Sequence, residues 1–486
     1  MINTKIIANL LGLLLIIISL LMFTVIPFSI YYQSNDVIAM LGSGAITFLA
    51  GFLLWKYKGK SKNCNNSLGK REGYIIVALG WIVMALFGSL PYIFSGAIPN
   101  MTNAFFETIS GFTTTGASIL NDIEAMPKGI LFWRSMTQWI GGMGIIVMTI
   151  AILPILGIGG MQLFVAEVPG PTSDKIHPRI KETAKRLWAI YLLLTLLLIG
   201  FLMIGGMSFY DAINHAFTTM PTGGFSTKQA SIAYFQSPFI HYIIIVFMFI
   251  TGANYTLIYF IFNGKFRKLR QNEEFKIYVM TLVILTIVIT SVLYIVSFEG
   301  IEKSFRVALF QVVSIVTTTG FVTADYTSWT PFITIIFLIM MFIGGCAGST
   351  SGSIKIVRHL TLAKNCMLEF KRLLHPRAVI PVKLNSMVVA PNIMTNILVF
   401  ILIYVIIFVV SSAFISLCGL DIKSSIGAVA STLGNVGPGI GTVGPIDNYY
   451  HVSAIGKWFL SFLMLLGRLE LFTVLILFTP YFWKLN

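Results

Sequence analysis

Ten apolar stretches punctuate the chain, near residues 6–32, 37–55, 74–95, 130–158, 187–207, 238–263, 277–298, 332–345, 392–418 and 458–482. A helix needs ~20 apolar residues to cross the hydrocarbon of a bilayer, so the pattern predicts ten membrane spans, the eighth continuing brokenly past residue 345. After the second span a unit recurs: a span, a shorter half-polar stretch, a polar turn, and another span. The half-polar stretches are 103–112, 211–220, 307–316 and 424–433. Each suffices for ~2–3 helical turns, about half a bilayer.

Each half-polar stretch runs into a turn rich in Thr and Gly. The four read Gly-Phe-Thr-Thr-Thr-Gly-Ala-Ser at 111–118, Pro-Thr-Gly-Gly-Phe-Ser at 221–226, Thr-Thr-Thr-Gly-Phe at 317–321 and Asn-Val-Gly-Pro-Gly at 435–439. Aligned on Gly116, Gly223, Gly320 and Gly437, they recur at intervals of 107, 97 and 117 residues. Six residues before these glycines stand Ser110, Phe217, Ser314 and Ser431; nine before stand Glu107, Asn214, Gln311 and Ala428. One such turn would read as a loop between spans, but four at the same place read as diverged internal repeats.

The chemistry of these turns suits a cation path. Non-helical backbone is tolerated at membrane depth only where it is protected or lines a water-filled cavity, and inward-facing carbonyls can replace an ion's hydration shell. Glycine reaches backbone conformations that are costly for other residues. Thr hydroxyls add acceptors at the inner end, and each short helix ends at its turn with its negative dipole end toward the ion. The predicted ion-binding set is Thr114, Thr115, Gly116, Thr222, Gly223, Thr318, Thr319, Gly320, Asn435, Val436 and Gly437. The turns contain no carboxylate ring, which argues against a divalent ion, and Glu107 is expected behind the turn as a scaffold acceptor.

Composition agrees with a membrane protein. Of 486 residues, 56% are apolar and 10% charged, against about a quarter charged in soluble domains. The net charge of +15 is no nucleic-acid footprint, because the basic residues sit in short loops between spans. Lys56, Lys58, Lys60, Lys62, Lys70 and Arg71 form one group; Lys175, Arg179, Lys181, Lys185 and Arg186 a second; Lys265, Arg267, Lys268, Arg270 and Lys276 a third; Lys355, Arg358, Lys364, Lys371, Arg372, Arg377 and Lys383 a fourth. With Lys5 and Lys484 they hold 25 of the 33 basic residues, all on one face, which predicts cytoplasmic termini. The first span is too long for a signal-peptide core and lacks a small-residue cleavage site.

Other chemistries find little footing. Cys64, Cys346, Cys366 and Cys418 have neither metal-ligand spacing nor a disulfide framework, and His177 and His215 stand without partner spacing. No phosphate-binding motif, metal cluster or nucleophile–base constellation suggests an enzyme. Secondary transporters tend toward inverted repeats, whereas these repeats share one orientation; coupling to protons or sodium is left open by the residues.

Two features lie below the turns. From Gly344 to Ser353 almost every residue is small, through Gly345, Gly348, Ser349, Thr350 and Gly352. Each glycine costs ~1 kcal/mol in a helix relative to Ala, so this stretch predicts a flexible intramembrane loop. Arg468 falls inside the last apolar run, where a charge is expensive unless it faces a cavity or partner. Glu470, two residues on, does not share its helix face. Arg468 is therefore expected to project into the path beneath the turns.

These residues resemble the Trk/Ktr/HKT superfamily of cation transporters, and within it the TrkH-type potassium uptake subunits. The resemblance rests on 113–118, 222–226 and 435–439, on Gly-Gly-Cys-Ala-Gly-Ser-Thr-Ser-Gly-Ser-Ile-Lys at 344–355 and on Gly-Arg-Leu-Glu at 467–470. It implies an all-α polytopic membrane protein with four covalently linked helix–pore-helix–helix repeats around a central pore, plus two extra N-terminal helices. The corresponding division is 1–72 for the extra helices, then repeats at 73–186, 187–275, 276–390 and 391–486. It further implies potassium as substrate at the bacterial inner membrane, no covalent cofactor, a homodimer of such chains, and surrounding lipid. A cytoplasmic TrkA-like ring of nucleotide-binding RCK domains would bring ATP/ADP or NAD/NADH only through itself. Gating is assigned to Gly344, Gly345, Gly348, Ser349, Thr350 and Gly352 with Arg468. Glycine at all four aligned positions is the potassium-type pattern; a potassium–proton or potassium–sodium symporter, or a sodium-permeable relative, would use the same pore. The sequence departs from the family's pattern at Met220-Pro221 and at Ser353.

Overall fold

The computed structural model describes residues 2–57, 70–144, 180–297, 300–385 and 387–484. The predicted basic residues Lys58, Lys60, Lys62, Lys175 and Arg179, together with Cys64, His177 and the end of the fourth span at 145–158, lie outside the described residues.

Two long helices, α1 (Thr4–Phe23) and α2 (Val37–Trp55), precede the repeats. They pack as a pair through small residues: a β-carbon on Gly12 would lie 2.5 Å from the Gly51 carbonyl oxygen. Such close backbone approach is how membrane helices associate without a hydrophobic drive. The first repeat is α3 (Lys70–Gly88), α4 (Met101–Phe112) and α5 (Lys128–Trp139), the last passing into a π-helical turn over Ile140–Gly144. The second is α6 (Ile180–Ile204), α7 (Phe209–Thr219), α8 (Pro238–Gly252) and α9 (Tyr255–Phe262). The third is α10 (Glu273–Ser297), α11 (Ile301–Val316), α12 (Pro331–Met340) and α13 (Ile356–Leu374). The fourth is α14 (Pro391–Leu417), α15 (Ile422–Leu433), α16 (Ala454–Arg468) and α17 (Phe472–Leu475).

Polar side chains start three of the four short helices. Asn100 accepts from the Thr102 and Asn103 amides, Ser208 from Asp211, and Asp421 from Ser424. Each cap satisfies amides that a helix start leaves without partners, at a typical gain of ~1 kcal/mol. One apolar core joins the N-terminal helices to repeats 1 and 4, and a second joins repeats 2 and 3.

Among the described residues, six helices are long and apolar enough to span a membrane. The stretches expected as single spans at 238–263 and 458–482 are instead sharply bent. α8 and α9 meet at 108°, and α16 meets the Phe472–Phe478 segment at 112°. The first bend falls at Gly252-Ala253-Asn254, where Asn254 caps the new helix by accepting from the Thr256 amide. The second falls where Glu470 and Leu471 both take positive φ (55° and 49°). The span expected at 332–345 is the ten-residue α12, which opens into an irregular segment before α13. α13 is amphipathic rather than uniformly apolar, so the hydropathy pattern concealed it: Ile356, Val357 and Thr361 are buried while Glu369 and Lys371 are exposed.

Candidate ion-binding site

The four short helices α4, α7, α11 and α15 end at one place, and the turns that follow share one conformation. Positive φ recurs at Thr114, Thr222, Thr318 and Asn435, and two residues later at Gly116, Gly224, Gly320 and Gly437. In each repeat the residue between them donates its amide back to the helix. Thr115 bonds to the Ser110 carbonyl, Gly223 to Thr218, Thr319 to Ser314 and Val436 to Ser431, all at 2.8–2.9 Å.

This pairing corrects the register of the second repeat. Gly224, not Gly223, is the equivalent of Gly116, Gly320 and Gly437; Gly223 takes the place of Thr115. Thr218 then replaces Phe217 in the row with Ser110, Ser314 and Ser431. His215 replaces Asn214 in the row with Glu107, Gln311 and Ala428. Two adjacent glycines look alike in sequence, and only the backbone distinguishes which one must turn left-handed.

The turns close into a ring. A β-carbon built on Gly116 would stand 2.2 Å from the Gly223 carbonyl oxygen, one on Gly224 2.0 Å from that of Thr319, one on Gly320 2.1 Å from that of Val436, and one on Gly437 2.7 Å from that of Thr115. Each glycine therefore faces the carbonyl preceding the next repeat's glycine, in cyclic order and without a gap. On one side of this ring opens a cavity lined by all four glycines, with Lys228, Asp447 and Asn448 in its wall.

The hydroxyls expected to add ion ligands are largely engaged elsewhere. Thr115 and Thr319 pair with Thr113 and Thr317, each at 2.8 Å. The Thr318 hydroxyl accepts from the Gly352 amide at 2.6 Å, and the Thr222 hydroxyl donates to Pro221. Asn435 turns its amide toward Thr115 and the Met464 carbonyl, both at 2.9 Å. Backbone oxygen is thus the ring's main offering.

Polar residues of the short helices brace the turns from behind. Glu107, fully buried, accepts from the Ser118 hydroxyl and the Ile119 amide at 2.9 Å. His215 at the equivalent place pairs with Ser226 at 2.9 Å, and Gln311 donates to the Ala324 carbonyl at 2.9 Å. The sequence reading missed Arg134, which neutralises Glu107 at 2.7 Å, donates to the Ser226 carbonyl at 3.0 Å and lies over the Phe225 ring at 3.5 Å. An arginine four positions before the Gln138-Trp139 pair, inside an apolar span, was the available signal.

Beneath the ring lies the segment 341–355, expected as a flexible intramembrane loop; its backbone is irregular and hydrogen-bonded to its surroundings. Gly344 donates to the Ile354 carbonyl at 2.9 Å and Gly345 to the Ser351 hydroxyl at 3.0 Å. The Gly348 carbonyl accepts from the Tyr255 amide, and the Ser349 hydroxyl donates to Cys346. Cys346 reaches the Gly252 carbonyl at 2.8 Å, in the bend of the second repeat. Thr350 donates to the Met220 carbonyl at 3.2 Å, at the end of α7. Small side chains allow this: a β-carbon on Gly352 would lie 2.4 Å from the Gly434 carbonyl.

Arg468 completes the arrangement. It donates to the Thr350 carbonyl at 2.8 Å and to the Gly141 and Gly142 carbonyls at 2.7 and 3.2 Å. It thereby joins the segment beneath the ring to the π-helical turn of the first repeat. Glu470 pairs instead with Arg358 at 2.5 Å, across 112 residues of sequence. Breaks in the inner helices of repeats 1, 2 and 4 thus lie at the depth of the third repeat's long segment.

Comparison with known proteins agrees with this geometry. Residues 39–484 match the family TrkH, described as cation transport protein. The chain is 43% identical to the Trk system potassium uptake protein TrkH of Escherichia coli K12, over 98% of this chain and 99% of that one. It is 32% identical to the TrkG protein of the same organism, over 99% of each. The fold superposes on the crystal structure of the potassium transporter TrkH from Vibrio parahaemolyticus with a TM-score of 0.88 and 38% identity, covering 99% of this chain and all of that one. By sequence, by fold and by its four-part ring, the chain is an integral membrane transporter rather than an enzyme, and it belongs to the TrkH family.

Proposed function

We propose that the chain is the potassium-translocating, channel-like subunit of a Trk-type potassium uptake system. The observation that carries this reading is the closed ring of Gly116, Gly224, Gly320 and Gly437, each set against a neighbouring repeat's carbonyl. A dehydrated monovalent cation is compensated there by carbonyl dipoles, with four helix C-termini adding negative potential. The segment 344–352 and Arg468 form the barrier beneath. A cation leaving the ring meets a guanidinium and a hydrogen-bonded backbone, so conduction requires Arg468 to give up the Thr350 carbonyl.

The same reading places the chain in the bacterial inner membrane with both termini in the cytoplasm. It pairs the chain with a second copy and with a TrkA-like ring, through which nucleotide acts. The names of the relatives support the system and its cargo. The test is flux through purified protein in liposomes, with potassium and sodium compared under imposed voltage and pH gradients. Potassium flux that follows its own electrochemical gradient, well above sodium, is expected. Equal sodium flux would defeat the selectivity, and uphill potassium accumulation driven by a proton gradient alone would defeat the passive pore.

A further inference from the structure

We infer that Gln138 is a selectivity-positioning residue: from repeat 1 it supplies the side chain that the ring lacks at Gly223. The inference rests on the ring being the selective element, as proposed above. At the three places equivalent to Gly223 stand Thr115, Thr319 and Val436, all completely buried. The two threonines are held by hydroxyls of their own repeats, Thr113 and Thr317. The second repeat has lost both halves of that pair, since Pro221 stands where the hydroxyl partner would be.

Gln138 occupies the vacated space. A β-carbon on Gly223 would lie 2.4 Å from the Gln138 side-chain carbonyl carbon, 2.5 Å from Oε1 and 2.8 Å from Nε2. The amide does more than fill volume. Its Nε2 donates to the Gly223 carbonyl at 2.6 Å and its Oε1 accepts from the Phe225 amide at 3.1 Å. The two bonds straddle Gly224, whose φ is +75°, so one side chain fixes the backbone on both sides of the left-handed residue. The Gly223 oxygen is the one that the neighbouring Gly116 faces, so its direction bears on the ring itself. Gln138 is fully buried, and its helix is anchored beside it by Trp139, which stacks on Phe217 at 5.1 Å and donates to Thr195. Gly223 itself has no left-handed φ, so its backbone would accept a side chain if Gln138 made room.

The full-length protein in liposomes, carrying potassium or sodium, provides the test. Gln138→Ala and the shape-preserving Gln138→Met are each expected to lower the potassium-to-sodium flux ratio about tenfold, the scale of losing a buried hydrogen bond. Gly223→Thr alone, driven into Gln138, is expected to lower it as well. Combining Gln138→Ala with Gly223→Thr restores a side chain behind the carbonyl and is expected to recover most of the ratio. A monodisperse Gln138→Ala or Gln138→Met protein whose ratio stays within about twofold of wild type overturns the inference, as does a double variant no better than its parents. Wild type that does not prefer potassium overturns the proposed function instead, so the two failures are separable.

Discussion

At Gly320 a single β-carbon would meet two separate obstacles. Its φ of +77° costs an L-residue about 1–2 kcal/mol, and the Val436 carbonyl oxygen lies 2.1 Å from where that carbon would sit. The oxygen must move, and it belongs to the ring. Gly320→Ala is therefore expected to reach the membrane folded but with a potassium-to-sodium flux ratio lowered tenfold or more, on the scale where 1.4 kcal/mol is a factor of ten; paired potassium and sodium flux measurements check this. Behind the ring the Arg134–Glu107 pair, 2% and 0% exposed, is a different kind of dependence. Removing one partner leaves an uncompensated buried charge, which typically costs ~3–5 kcal/mol. Arg134→Ala and Glu107→Gln should each depress the thermal stability of the detergent-solubilised protein, the first by stranding the buried carboxylate and the second by stranding the buried guanidinium.

The elements divide into those that hydropathy and composition reveal and those that depend on distant contacts. The four short helices end within a residue or so of the expected limits, because a Thr/Gly run after an amphipathic stretch is a local stop signal. The bends at Gly252-Ala253-Asn254 and Glu470-Leu471 were hidden inside runs apolar enough to look continuous, as only tertiary contacts select the bent form. The Gly223–Gly224 ambiguity and the Glu107–Arg134 pair, 27 residues apart, required the folded chain for the same reason. The segment under the ring shows both sides: its glycines announce an irregular backbone, while its tether to Arg468 spans 118 residues. Without that tether Thr350, Gly141 and Gly142 lose a charged donor, each such bond contributing ~1.5–3 kcal/mol. Arg468→Ala is expected to raise potassium flux severalfold in liposomes, with Arg468→Lys intermediate; flux unchanged in Arg468→Ala would remove the guanidinium from the barrier.

Across the whole molecule, the last repeat is fastened to the first as firmly as any neighbours in sequence. Lys457 donates to Asn103 at 2.8 Å, and the Tyr449 amide donates to the Ser118 carbonyl at 2.8 Å. The positive loops fix the expected orientation of this closed body, and Cys366 offers a direct check because it is exposed on α13 while Cys346 is buried. In a Cys64→Ser background, a membrane-impermeant maleimide should label Cys366 from the cytoplasmic side only and leave Cys346 unmodified until the protein is denatured.

The unequal breaks in the four inner helices carry a consequence for ancestry. An assembly of identical chains must place every insertion at the axis in as many copies as it has chains. Here one quarter carries the long segment at 341–355, while another answers it with a single arginine. Four such segments would compete for the same space beneath the ring, and four such arginines would repel one another. Joining the quarters in one polypeptide releases each from having to mirror the rest, so an inserted segment and the arginine bound to it can arise on different quarters of a shared frame.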